Sequence, residues 1–188
     1  MSHQLRMFQV DAFADRIFGG NPAAVLVIDQ WLPEAVMLAI AQENNLAETA
    51  FAKQRPDGSW DLRWLSPAHE VDFCGHATLA TAQVLVSQGW APSPISFHTR
   101  IGALCVSSVE DGYLLDLPCL PPQALAELPT EIAGIFPDPP VQIFQNFENI
   151  FADLGSSDAV RRFVPDLAAT QLLGSVGLVV TGRGVAGE

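Results

Sequence analysis

Nine consecutive residues, Glu70-Val71-Asp72-Phe73-Cys74-Gly75-His76-Ala77-Thr78, put two carboxylates, a thiol and an imidazole immediately ahead of an apolar segment. Groups of these types move protons or hold an anion. His76 titrates nearest physiological pH, so it serves either as a hydrogen-bond donor to a carboxylate or as a proton carrier; the alternative is a helix-capping or core histidine. Asp72 is either a ligand-positioning group or a carboxylate favoured at a helix N-terminus by the dipole. Cys74, at the same helix start, is a thiol whose pKa that position lowers. Buried, inert packing is the expected fate of all three cysteines, Cys74, Cys105 and Cys119. A further carboxylate, Glu48, is flanked by Leu46, Ala47, Ala50 and Phe51. It is either a base desolvated in a cleft, with its pKa raised toward the range that proton abstraction from carbon needs, or the outward residue of a strand edge. His3, His69 and His98 lack metal-ligand spacing, and Gly182-Arg183-Gly184 follows a strand but leads into no helix, so neither a metal site nor a phosphate loop is expected.

These groups need a scaffold. Residues 77–86 read Ala-Thr-Leu-Ala-Thr-Ala-Gln-Val-Leu-Val, without a charge and without a polar face at helical period. A helix of that kind is enclosed on every side, with Leu79 and Val84 in the core. Its first N–H groups must be satisfied, and Gly75 permits close approach of an anionic group to them. Strands are expected at residues 7–13, 23–28, 49–53, 60–65, 95–98, 103–109 and 113–117, with a helix at 33–43. The turns are Gly19-Gly20-Asn21-Pro22, Pro56-Asp57-Gly58, Thr99-Arg100-Ile101-Gly102 and Glu110-Asp111-Gly112. Many strands and one enclosed helix predict an α+β domain, residues 1–117, whose curved sheet wraps the helix. Pro118, Pro121 and Pro122 mark its end. The remainder, 118–188, starts a similar programme, with strands at 141–144, 149–154 and 177–181 and a helix at 158–163, but presents no second buried helix. Strands around Val141 and Leu178 are expected to lack partners, and this half to self-associate through its exposed edges.

Composition narrows the partners. Nine basic against twenty-one acidic residues give a formal charge of -12, which opposes nucleic acid and anionic membrane surfaces. Nearly half of the 188 residues are hydrophobic, enough for a core, yet no uncharged apolar run approaches the roughly 18 to 20 residues that span a bilayer. An odd cysteine count and an N-terminus without a long apolar stretch point to the cytoplasm.

Three passages together resemble the PhzF family, the phenazine-biosynthesis-like isomerases with the diaminopimelate epimerase-like fold. They are Gly20-Asn21-Pro22-Ala23-Ala24-Val25, Asn44-Asn45-Leu46-Ala47-Glu48-Thr49-Ala50-Phe51 and Asp72-Phe73-Cys74-Gly75-His76-Ala77-Thr78. The resemblance implies two pseudo-symmetric domains, each a curved, mostly antiparallel sheet round a central helix, and a homodimer. It implies a cofactor-independent isomerase acting on a small carboxylate-bearing metabolite, with Glu48 as general acid/base. His76, Asp72, Gly75 and Asn21 are then the substrate-binding candidates. The family's second-domain motif Asp-Pro-(Ala or Val)-Thr-Gly-Ser does not occur here, so the expectation is a chain truncated within its second domain. Two other readings stand beside this one: a racemase or epimerase using Cys74, and a non-catalytic binding module.

Overall fold

The computed structural model describes residues 4–117, 119, 121–128, 130–146, 149–174 and 176–185. The chain divides into two compact units, 1–117 and 118–188.

In the first unit, β1 (Met7–Ala12) runs antiparallel to β2 (Asn21–Val27), with Ala12 opposite Asn21. The turn between them closes tightly: a Cβ on Gly20 would stand 2.3 Å from the Ala12 carbonyl oxygen, so no side chain fits. Pro33, whose missing N–H costs nothing at a helix start, precedes α1 (Glu34–Asn44). Asn45 ends it in the left-handed region at φ 49°, a conformation asparagine tolerates better than most residues, and its N–H donates to the Ala41 carbonyl. The chain then enters β3 (Glu48–Gln54), parallel to β2, and returns antiparallel through Pro56-Asp57-Gly58 as β4 (Trp60–Leu65). A two-residue strand, β5 (Glu70–Val71), pairs with β4 and delivers the chain to α2 (Gly75–Ser87). The meander β6 (Ile95–Thr99), β7 (Gly102–Val109) and β8 (Gly112–Asp116) completes a sheet ordered β1-β2-β3-β4-β6-β7-β8.

Period-two alternation along β3 sorts its side chains between the two faces of this sheet. Ala50 and Ala52 face α2 in a core with Ala23, Val25, Trp64, Phe97 and Val106, whereas Phe51 joins Leu26, Met37, Ala41 and Leu65 under α1. Alanines on both sides of the inner contact, among them Ala77 and Ala80 of α2, let helix and sheet backbones approach closely. The buried threonine hydroxyls of α2 are satisfied within the helix, Thr78 donating to the Cys74 carbonyl at 2.6 Å and Thr81 to that of Ala77 at 2.7 Å. Burying each large apolar side chain, such as Leu85, contributes about 1.5–3 kcal/mol.

Enclosure of α2 is not complete. Val84 is in the core as expected, but Leu79 is only partly buried and Gln83 is exposed. Both line a cleft of about 670 Å³ shared with residues 10–15 of β1 and its turn and with Gly112 and Tyr113. Gln83 is the polar side chain that α2 gives to this cleft, a position that periodicity of charges alone does not reveal.

The second unit contains β9 (Gln123–Ala124), α3 (Thr130–Ala133), β10 (Gln142–Gln145), β11 (Asn149–Asp153), α4 (Ser157–Arg162), α5 (Leu167–Thr170), a 3-10 turn (Gln171–Leu173) and β12 (Gly177–Thr181). The expectation that strands near Val141 and Leu178 lack partners is overturned. β10 pairs with both β9 and β11, Leu178 of β12 lies opposite Ile150 of β11, and the sheet is ordered β12-β11-β10-β9. Ile132, Ile135, Phe136, Ile143 and Ile150 form its core, and Phe136 stacks on Phe163 at 5.6 Å. Among the described residues, seven strand pairings across the two sheets are antiparallel and three are parallel. The architecture is α+β and diaminopimelate epimerase-like. Among the described residues, no helix is long and apolar enough to cross a membrane.

Candidate active site

Glu48 is the first residue of β3, on the same face as Ala50 and Ala52 but one step beyond the core they build. That position carries its carboxylate past the sheet to the N-terminal end of α2. Cys74 is the residue ahead of α2, in extended conformation at φ -149°, and His76 is the second residue of the helix. The three side chains converge. His76 Nε2 lies 3.3 Å from Glu48 Oε2, and Cys74 Sγ lies 3.4 Å from His76 Nδ1. Glu48 and His76 remain slightly open, with side chains 20% and 11% exposed, while Cys74 is buried. The Glu48–His76 pair satisfies the distance of an ion pair, yet Nε2 finds no hydrogen-bond partner because the approach is off the N–H direction. The imidazole edge is near the carboxylate without being consumed by it.

The electrostatics separate the roles. Burial pushes the Cys74 thiol from its ordinary 9.0 up to about 12, with the Glu48 carboxylate adding to the rise, and the backbone N–H groups of Ala77 and His76 only partly oppose it. The lowered thiol pKa expected from the helix start is therefore corrected, because desolvation outweighs the helix N-terminus. His76 is shifted down by burial, against the pull of Glu48, which favours the neutral imidazole. Cys105 and Cys119 are exposed, contrary to the expectation that all three cysteines pack inside.

Gly75 opens α2 beside this cluster. A Cβ there would meet only Phe73 Cζ at 3.7 Å and Leu115 Cδ2 at 4.0 Å, ordinary contacts, so the fold does not itself demand glycine. No side-chain hydrogen bond caps the helix, and the N–H groups of His76 and Ala77 face the Cys74 sulfur. Phe73, packed edge-on against Trp64 at 6.2 Å, forms the apolar wall before Cys74.

Two candidates lie apart from the cluster. Asn21 begins β2 and is exposed opposite Ala12. Asp72 points outward with its side chain 67% exposed, where Arg100 Nη1 donates to Oδ1 at 3.3 Å.

The sequence reading gives Arg100 only a turn and misses an ion network beside the site. Glu70, with a side chain 5% exposed, accepts from Arg63 Nε at 2.7 Å and from Arg63 Nη2, and from Arg100 Nη2 at 2.7 Å. Arg63 also lies over the Trp31 ring at 5.3 Å. The buried carboxylate thereby ties β4 and the β6–β7 turn to β5, the strand that leads into residues 72–76. Its signal in the sequence is the pair of arginines facing a glutamate across strands, which is visible only once register is known.

Comparison with known proteins agrees with this arrangement. The family model of phenazine biosynthesis-like proteins, PhzC-PhzF, matches residues 10–187. Two proteins of Pseudomonas aeruginosa, each described as an uncharacterized isomerase, are 40% identical to the chain; the alignments cover 97% and 96% of it and 69% of each relative. The solved structure of a PhzF family protein from Enterococcus faecalis, 39% identical, superposes with a TM-score of 0.84 over 97% of this chain and 70% of that one. A PhzC/PhzF protein from Clostridium difficile, 34% identical, gives 0.83 over 97% and 70%. With the family model spanning nearly the whole sequence and the cluster of Glu48, Cys74 and His76 built on the passages that carry the likeness, the chain belongs to the phenazine biosynthesis-like PhzC-PhzF family and is an isomerase of the PhzF-like type.

Proposed function

We propose that the chain's chemistry is a cofactor-independent proton shift between two carbons of a small carboxylate-bearing metabolite, with Glu48 as the single acid/base. The contact between Glu48 Oε2 and His76 Nε2 at 3.3 Å carries this reading, since it sets a partly open carboxylate beside a neutral, unsatisfied ring edge. Glu48 removes a proton from one carbon and returns it to another. His76, its Nδ1 accepting from the Cys74 thiol, carries its own proton at Nε2 and presents it to the substrate carboxylate. The first-turn N–H groups at Gly75 hold the same carboxylate, as helix N-termini do for anions. Asp72 and Asn21 act at the periphery of the bound substrate. The substrate's charge is opposed by the chain's overall -12, so binding relies on these local donors. The same reading takes the enzyme to be a cytoplasmic homodimer, which sedimentation tests.

The Cys74 racemase is the second reading, favoured by the thiol's place in the cluster and opposed by its pKa near 12. The test is deuterium uptake from solvent into a panel of small unsaturated and amino carboxylates, followed by NMR, with Glu48→Gln and Cys74→Ala alongside the parent chain. Uptake lost with Glu48→Gln and kept with Cys74→Ala supports the proposal. Loss confined to Cys74→Ala transfers the chemistry to the thiol, and binding without any uptake reduces the chain to a binding module.

A further inference from the structure

Glu48, Cys74 and His76 each offer one donor atom, and these atoms lie within 4.8 Å of one another. They arrive from three anchors: the start of β3, the residue before α2 and the first turn of α2. A carboxylate oxygen, a thiolate sulfur and an imidazole nitrogen form a mixed set that suits zinc and is poorly suited to magnesium or calcium, which take oxygen.

Spacing comes near what zinc requires. Tetrahedral zinc, with bonds of about 2.0 Å to nitrogen and oxygen and about 2.3 Å to sulfur, separates its ligand atoms by roughly 3.3–3.6 Å. The Oε2 to Nε2 and Sγ to Nδ1 separations are 3.3 and 3.4 Å. These two distances end on different ring nitrogens and one nitrogen must serve both neighbours, so the widest donor separation, at most 4.8 Å, has to close by up to about 1.5 Å. Nε2 is buried and without a hydrogen-bond partner, so coordination there would satisfy an unmet polar atom, while the Cys74 Sγ to His76 Nδ1 hydrogen bond would be given up.

We propose that this triad is a zinc site with three protein ligands and one open position, and that zinc occupying it inhibits the isomerase. On binding, the Cys74 S–H gives its proton to solvent, and Sγ, one His76 ring nitrogen and a Glu48 oxygen bond the ion. Water or a substrate carboxylate takes the fourth position. A Glu48 carboxylate bound to zinc no longer accepts a carbon-bound proton. The inhibitory half rests on the proton-shuttle reading above, whereas binding rests on the geometry alone.

The probes are Zn²⁺ and Co²⁺ added to the full chain carrying serine at the exposed Cys105 and Cys119. Co²⁺ should bind one equivalent and develop thiolate-to-metal charge-transfer absorption, which Cys74→Ser abolishes. His76→Ala should weaken binding at least tenfold, and an equal concentration of Mg²⁺ should not compete. X-ray absorption of the zinc-loaded parent, which needs no variant at position 74, should show one sulfur with nitrogen and oxygen neighbours. A first shell of nitrogen and oxygen alone, or a charge-transfer band that survives Cys74→Ser, overturns the site. Deuterium uptake that is present without metal and unchanged by bound zinc overturns the inhibition while leaving the site. No uptake in any metal-free form, with the sulfur-containing shell present, instead refutes the isomerase chemistry and spares the metal site.

Discussion

Glu48 Oε2 and His76 Nε2 stand 3.3 Å apart because β3 begins beside the N-terminus of α2, so that the first inward position of a strand meets the first turn of the helix it covers. Neither residue belongs to the hydrophobic core that creates this meeting. The core of small residues beneath them fixes the distance, and the two polar groups sit at its mouth.

Replacing Glu48 by Gln keeps the size and removes the proton acceptor. General acid/base groups contribute about 10²–10⁴-fold, and a loss in that range is expected in solvent deuterium uptake with the melting temperature nearly unchanged. Cys74→Ala should retain most of the uptake. A Glu48→Gln chain as active as the parent would falsify the assignment.

Gly75→Ala separates folding from binding. The added methyl meets nothing closer than 3.7 Å, and alanine at a helix start lowers the entropy of the unfolded chain, so stability should hold or rise by about 0.4–1 kcal/mol. Substrate affinity should fall, since the methyl occupies the approach to the N–H groups. Raised KM together with an unchanged or higher urea midpoint is the expected pair of results; unchanged KM removes Gly75 from the site.

The pH dependence of stability has two arms. Cys74 keeps its proton in the folded chain to about pH 12 but loses it near 9 when unfolded, so its contribution is present below 9 and is lost as pH rises from 9 toward 12. The steepest slope for one proton is about 1.4 kcal/mol per pH unit. His76 is shifted the other way: its contribution is present above its ordinary value of 6.5 and is lost as pH falls through its lowered folded value. Urea unfolding from pH 5 to 11 should show Cys74→Ala flattening the alkaline arm and His76→Gln the acid arm. An alkaline arm unaltered by Cys74→Ala assigns it to other groups.

Much of this was legible in the residues. The strand at residues 60–65 was readable from alternation and the strand at 177–181 from its apolar run, and Asn44-Asn45 marks where α1 ends because asparagine accepts φ 49°. The convergence of Glu48 with His76 was legible through family likeness rather than spacing, since only the tertiary packing of α2 on β3 brings them together. β5 escaped notice because two residues carry no period. The thiol pKa went the wrong way because local sequence displays the helix end but not the depth of burial, and depth wins. Leu79 fails as core for the opposite reason: apolarity states what a residue tolerates, and the cleft beside β1 decides what covers it.

Glu70 should be the most expensive surface-proximal charge to remove in the first unit. Its carboxylate is nearly buried and accepts from both Arg63 and Arg100, so Glu70→Gln leaves two guanidiniums facing an amide. Losing one partner of a fully buried pair costs about 3–5 kcal/mol; Arg100 is half exposed and regains water, which lowers the expected cost to about 2 kcal/mol. Arg100→Ala, on the exposed side, should cost under about 1 kcal/mol. Urea unfolding of both variants, with unchanged slopes, checks the order. The network also tethers residues 72–76, so Glu70→Gln should lower deuterium uptake by loosening His76, and Glu70→Asp should restore part of it. Equal costs for Glu70→Gln and Arg100→Ala would mean that the buried carboxylate is no anchor and that β5 is held in place by its pairing with β4 alone.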